Sequence, residues 1–250
     1  MNITTIGIVS ISSILAQHVL EKGTNDLAHA GYRVKVAPNV AGPDVAPAQE
    51  RARTLEDFWL DPEIDLLWFS RGGEGAAEVV PLLDWDKLRA RPDMPVVGFS
   101  DVTMLLNAML AKGVGHPCSG PMVSAERYWN EDSRRWFAAA LRGEELPPLR
   151  ASPLKTGERA PARGLPMGGH LERMHRLWKA GLAPDAAGRV VFLECTAKYP
   201  PSKVRECLEE LRDGGALEGA AAVVFCDFRH AGAARTEIFA FLETFASTLP

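Results

Sequence analysis

Short apolar runs alternate with stretches of helical period along the first half of the chain, a pattern that builds a parallel sheet covered by helices. TTIGIVSI predicts a first strand, Ile14 to Ala30 a helix ending near Gly31, YRVKVA a second strand and Ala48 to Trp59 a second helix. DLLWFS then predicts a strand ending at Arg71, AAEVVPLL a short helix, MPVVGFS a strand, and DVTMLLNAMLAK a helix closed by Gly113. Several strands are nearly continuous in apolar residues, as expected when a sheet is buried on both faces. From about Glu144 the texture changes to EELPPLRASPLKTGERAPARGLP, rich in proline and charge and without either period, the signature of a linker. Beyond it a helix from His170 to Ala180, a strand RVVFLE, a helix from Ser202 to Asp213, a strand AAAVVFCDF and a helix through Phe245 predict a second, smaller α/β domain. The expected division is residues 1–145, a linker over 146–167, and residues 168–250.

Composition narrows the function classes. The 250 residues are 46% hydrophobic and 24% charged, so the chain is expected to fold as an ordinary globular protein. With 28 Lys and Arg against 32 Asp and Glu, the net charge of -4 offers no footprint for phosphate backbones, and nucleic acid is not an expected partner. The apolar start lacks a basic n-region and a cleavage site and is interrupted well short of a membrane span, which predicts a cytoplasmic protein with no membrane partner. Cys118, Cys195, Cys207 and Cys226 form no CxxC, and Cys207 and Cys226 sit in apolar surroundings typical of buried free thiols, which fits a reducing compartment. His170 and His175 are five residues apart, about 140° around a helix, so no metal site is expected.

Three segments carry chemistry. In MPVVGFSDVTMLLNAMLAKG a buried strand runs through Gly98 and Phe99 into Ser100 and then directly into a helix. A serine there lies at the carboxyl edge of the sheet, where open α/β folds bind ligands, and the helix start favours the negative charge that develops on attack. The arrangement resembles the GxSxG elbow of hydrolases, with Val102 in place of the second glycine; an N-capping serine is the alternative. In FSRGGEG, adjacent glycines let a backbone approach a ligand, so the amides of Gly72 or Gly73 can join that of Asp101 in an oxyanion hole; a plain turn or an anion nest is the alternative. In RVVFLECTAKYPP, Glu194 ends an apolar strand, either solvated or held beside a cation or imidazole as the acid of a Ser/His/acid triad.

Taken in order, RGGEG, PLLDWDKL, VVGFSDVTMLLNAM, SGPM, GLPMGGHLERMHRLW and RVVFLE resemble the LD-carboxypeptidase family of serine peptidases, which includes the microcin C immunity peptidases. The resemblance implies an N-terminal parallel-sheet, Rossmann-like domain and a smaller C-terminal α/β domain with the active site in the cleft between them. It also implies a homodimer, no cofactor, and removal of the terminal D-alanine from murein tetrapeptide during cell-wall peptide recycling. A Ser/Glu/His triad is implied, with Ser100 and Glu194 at the matching positions; the mechanism read from the residues adds the amides of Asp101 and Gly73 as oxyanion donors, and Arg71, with Gly72, beside the substrate carboxylate, a solvated or structural ion pair being the alternative for Arg71. The family's histidine lies in a GH segment after a further strand, and the sequence stops at Pro250 where that strand is expected. The base is then expected in a segment beyond Pro250, with His230 as the in-chain alternative, His170 and His116 behind it, and a chain that no longer catalyses as the third possibility. Three positions depart from the family: Ser119 replaces the histidine before GPM, His170 the asparagine after GG, and Cys195 the acidic residue after the glutamate. An immunity-type peptidase that stacks a nucleotide on Trp68, Trp85, Trp129 or Trp178, and a two-lobed muropeptide-binding protein without catalysis, are the rival functions.

Overall fold

The computed structural model describes residues 3–124, 130–141, 144, 148–152, 154 and 161–249. Trp129, and residues 145–147, 153 and 155–160 of the expected linker and its border, lie outside the described residues. The chain divides into two compact units, Met1–Pro147 and Pro148–Pro250, each with a parallel sheet of its own.

The first unit alternates strands and helices: β1 (Thr5–Val9), α1 (Gln17–His29), β2 (Arg33–Val36), α2 (Ala48–Leu60), β3 (Leu66–Phe69) and α3 (Ala76–Val79). A 3-10 turn at Val80–Leu82, α4 (Trp85–Leu88), β4 (Pro95–Gly98), a second 3-10 turn at Ser100–Val102, α5 (Thr103–Lys112), β5 (His116–Ser119) and α6 (Glu131–Leu141) follow. The strand order is β2-β1-β3-β4-β5, all parallel, so the winding reverses between β1 and β3. Every residue of β1, β3 and β4 is buried, which is why these three read as unbroken apolar runs rather than as alternation. Ile8, Leu67, Phe69, Val96 and Val97 are almost fully enclosed there, with Leu55 and Trp59 of α2 and Leu105 and Met109 of α5. The helix expected from Ile14 begins only at Gln17; Ile11 and Leu15 are instead buried anchors of the loop that follows β1.

The second unit contains β6 (Pro166–His170), α7 (Leu171–Lys179), β7 (Val190–Cys195), α8 (Pro201–Asp213), β8 (Ala222–Phe228) and α9 (Gly232–Ser247), with strand order β6-β7-β8, again parallel. Its core joins Met174 and Leu177 of α7, Val191 and Leu193 of β7, Leu208 and Leu211 of α8, and Leu242 and Phe245 of α9. β6 opens at Pro166, inside the stretch expected to be linker. Cys207 is buried as expected, but Cys226 is exposed. The reason is its place on β8, an edge strand whose residues from Ala222 to Asp227 are only partly covered. Among the described residues, no helix is long and apolar enough to cross a membrane.

Candidate active site

The strand-to-helix junction after β4 is built around an unusual backbone. Ser100 has φ 61°, and among the described residues it alone has a positive φ without being glycine. Such a conformation costs about 1–3 kcal/mol in a residue with a Cβ. Phe99, not Ser100, occupies the extended cap position of the 3-10 turn, at φ -155°, and no side chain caps it. Among the described residues, no hydrogen bond reaches the Ser100 hydroxyl. The serine is therefore not an N-cap; its Oγ is presented by a strained backbone and left uncommitted. Val102, at the place of the second glycine in a GxSxG elbow, is fully buried and packs over Gly98, where an added Cβ would lie 2.7 Å from Val102 Cγ1. The small residue of that contact is on the strand and the large one in the turn, so the elbow closes without a glycine at 102.

The glycine loop after β3 lies against this elbow. A Cβ on Gly72 would sit 3.1 Å from both Cβ and Oγ of Ser100 and 3.5 Å from the Asp101 nitrogen, so a side chain there would crowd the serine and glycine gives the loop its close approach. Gly73, at φ 128°, presents the side where a Cβ would stand to the loop after β1, 2.1 Å from Ser13 Oγ. Asp101 is 1% exposed, and its carboxylate accepts from Ser12 Oγ at 2.6 Å and from the Ala76 nitrogen at 2.9 Å. A second charged side chain enters from α2: Arg51, 4% exposed, donates to the carbonyls of Ala46 (2.8 Å), Ile11 and Gly75 (3.3 Å) and pairs with Glu78 at 2.6 Å. Arg71 is exposed and donates to the Ile14 carbonyl at 3.1 Å, tying the start of the glycine loop to the loop after β1. His116 begins β5 opposite Pro95, at the start of β4, whereas Ser100 follows the end of β4; it lies at the other edge of this sheet.

In the second unit the strands bring titratable residues to their carboxyl ends. Glu194 pairs in register with His170, so both project from one face of the sheet. Glu194 is half-buried, and burial pushes its carboxyl above the ordinary range; Arg229 draws it down and Asp227 pushes it up. Among the described residues, no hydrogen bond or ion pair reaches that carboxylate. His170 is 4% exposed and meets the Tyr199 ring edge-on at 5.4 Å. His230 Nε2 lies 2.6 Å from the Tyr199 carbonyl, which can only accept, so Nε2 is the donor, and Nδ1 is an enclosed atom without a hydrogen-bond partner among the described residues. Its donor is thus spent on the backbone and its acceptor is shut in, poor placement for a general base. Cys195 is buried with its thiol pushed up to about 12, chiefly by desolvation, so it is inert as a nucleophile.

Trp68 and Trp178 have structural work. Trp68 donates to the Pro121 carbonyl at 2.8 Å and packs on Phe137 at 5.2 Å. Trp178 lies over Gly214 and beside His175, in a cavity shared with Met167 and Ala186 at the amino end of the second sheet, opposite Glu194. Trp85 opens α4 and is partly exposed.

Sequence reasoning missed Arg51 and the work of the Asp101 carboxylate. The signal for Arg51 was present: it shares a stripe with Leu55 and Trp59 at i+4 and i+8, the core-facing side of α2, where a charge is costly without partners.

Residues 6–117 match the LD-carboxypeptidase N-terminal domain and residues 163–249 the LD-carboxypeptidase C-terminal domain. The murein tetrapeptide carboxypeptidase of Pseudomonas aeruginosa is 29% identical over 140 residues, 49% of this chain and 45% of that protein. A Bacillus subtilis protein named as a probable murein peptide carboxypeptidase is 25% identical over 239 residues, 90% of this chain and 72% of its own. The solved muramoyltetrapeptide carboxypeptidase of Oxalobacter formigenes has the same fold, with TM-score 0.77 and 21% identity over 99% of this chain and 86% of that one. With both of its domains matched in order across most of its length, the chain belongs to the LD-carboxypeptidase family of serine peptidases.

Proposed function

We propose that the protein is a serine LD-carboxypeptidase that hydrolyses the amide before the terminal D-alanine of murein tetrapeptide. The observation that carries this reading is Ser100, held at φ 61° with its hydroxyl uncommitted and the Gly72 backbone against it. Ser100 Oγ attacks the scissile carbonyl as its proton passes to a histidine that Glu194 orients, and an acyl-enzyme forms with release of D-alanine. Amides of Asp101 and Gly73 stabilise the tetrahedral oxyanion, a contribution that typically reaches 100-fold to 1000-fold per donor. Water then enters, the histidine takes its proton, and the shortened peptide leaves. Burial that raises the Glu194 carboxyl supports its role, because an imidazolium beside it would recover the cost of ionising there. Arg71, exposed at the start of the glycine loop, binds the substrate carboxylate, with Gly72 giving the backbone room for it. A cytoplasmic homodimer without a cofactor is part of the same reading.

The test is release of D-alanine from murein tetrapeptide, followed by mass spectrometry, for wild type and Ser100→Ala. Wild type is expected to release D-alanine and the variant to release none above background. A Ser100→Ala protein that keeps a large share of the turnover overturns the proposal, as does a wild-type chain that binds the peptide and leaves it intact.

A further inference from the structure

The glycine loop is held from both sides by buried charges of opposite sign. Asp101 reaches from the elbow and joins Ser12 Oγ, in the loop after β1, to the Ala76 nitrogen at the end of the glycine loop. Arg51 reaches from α2 and joins the same two segments one residue earlier, at the carbonyls of Ile11 and Gly75. Arg51 and Asp101 thus hold the two ends of a single peptide unit, its Gly75 carbonyl and its Ala76 N–H, and tie it to the Ile11 carbonyl and the Ser12 hydroxyl of the loop after β1. Gly72 and Gly73 lie just ahead of this clamp, one packed on Ser100 and the other on Ser13. Glycines have the least resistance of any residue to alternative backbone conformations, so a stretch containing Gly72, Gly73 and Gly75 has little local means of holding its amides in place. A fork of five fixed donors is suited to holding several carbonyls at once in a set geometry, whereas a lysine offers three donors on a flexible stem.

We propose that Arg51 and Asp101 are positioning residues that fix the Gly72–Gly73 backbone against Ser100, so that its amides point where the oxyanion will develop. The inference rests on Ser100 being the nucleophile. Neither side chain touches the substrate; their effect is on where the loop sits, and a misplacement of about 1 Å in such a constellation can cost on the order of 100-fold in rate.

The experiment measures two things on the full chain: the second-order rate at which a fluorophosphonate phosphonylates Ser100, the serine oxygen displacing fluoride, and amide hydrogen exchange over residues 72–75. Arg51→Met and Asp101→Ala are expected to slow phosphonylation about 100-fold and to speed exchange across the loop. Asp101→Asn retains an acceptor for Ser12 and Ala76 and is expected to recover part of both effects; Arg51→Lys, which is less disruptive to the core, is expected to fall between wild type and Arg51→Met. Once peptide turnover is established, the loss is expected in kcat with KM changed only a few-fold, a split that general destabilisation does not produce. Variants that remain folded and label at the wild-type rate, or whose loop exchanges as in wild type, overturn the inference. A wild-type chain that takes no phosphonyl group at Ser100 overturns the nucleophile reading itself and the inference with it, and is told apart because it needs no variant.

Discussion

The strained backbone at Ser100 predicts that replacing the serine by glycine stabilises the protein while removing its activity. At φ 61° a Cβ costs about 1–3 kcal/mol, and glycine relieves that cost. Glycine also gains more freedom in the unfolded chain, which takes back about 0.4–1 kcal/mol. The Ser100 hydroxyl has no hydrogen-bond partner among the described residues, so no such bond is lost. The net expectation is a gain of about 0.5–2 kcal/mol for Ser100→Gly. Ser100→Ala keeps the Cβ and therefore the strain, and is expected to stay within about 1 kcal/mol of wild type. Scanning calorimetry of the three proteins is the assay, with each kcal/mol worth about 2–4 °C in a chain of this size. Two compact units can melt separately, so the comparison is made on the transition that moves. The order expected is Ser100→Gly above Ser100→Ala, with the latter level with wild type, and no D-alanine released by either variant. If Ser100→Gly melts below Ser100→Ala, the backbone there stores no strain, and the argument that function holds the serine against its conformational preference fails.

Gly72→Ala places a methyl group 3.1 Å from the Ser100 hydroxyl and is expected to abolish phosphonylation of Ser100 with little change in melting temperature, whereas Gly73→Ala, at φ 128° and 2.1 Å from Ser13 Oγ, is expected to lower both; equal and small effects from the two would contradict the loop geometry. His230→Gln preserves a donor to the Tyr199 carbonyl and is expected to retain most of the turnover, since neither ring nitrogen is placed to act as a base; a fall of about 1000-fold or more in a folded variant would make His230 the base after all. Burial holds the Glu194 carboxyl above its ordinary range, so the folded chain binds that proton more tightly than the unfolded one, and the associated stability is present at acid pH and lost as pH rises through the raised value. Glu194→Gln is accordingly expected to melt with wild type near pH ~4 and above it at neutral pH; coincident melting at both would show that the carboxyl is not held up.

The parts of this fold that were legible are those where burial is two-sided. β1, β3 and β4 announce themselves because nearly every residue is apolar when helices cover both faces, and β7 does so by the run VVFL, although its burial in the fold alternates. Edge strands carry no such demand. β5, His-Pro-Cys-Ser, survives at the margin of the first sheet, where a proline's missing donor can face away from the ladder. β6, Pro-Met-Gly-Gly-His, likewise reads as the tail of a linker, yet its register against β7 is what sets His170 beside Glu194. The same one-sidedness explains Cys226, apolar in its sequence neighbourhood but exposed on β8.

The elbow shows why residue types alone left Ser100 between two roles. A capping serine and a nucleophilic serine both stand between a buried strand and a helix, and they differ by a shift of one residue in where the backbone turns. If the extended cap position fell on Ser100, its hydroxyl would be consumed by an amide of the first turn. Here that position falls on Phe99, and Ser100 becomes the first residue of the turn with its φ inverted. What forces the shift is packing on either side: Val102 closes over Gly98, Asp101 is drawn inward to Ser12 and Ala76, and the serine between Phe99 and Asp101 takes the conformation that remains. Gly98 is local, but the Asp101 partners come from the loop after β1 and the start of α3, far away in sequence, so the decision between cap and nucleophile is tertiary. Local stability would favour the other outcome, and a chain that keeps the costlier one in a folded core holds it in place through Asp101 and Val102 together.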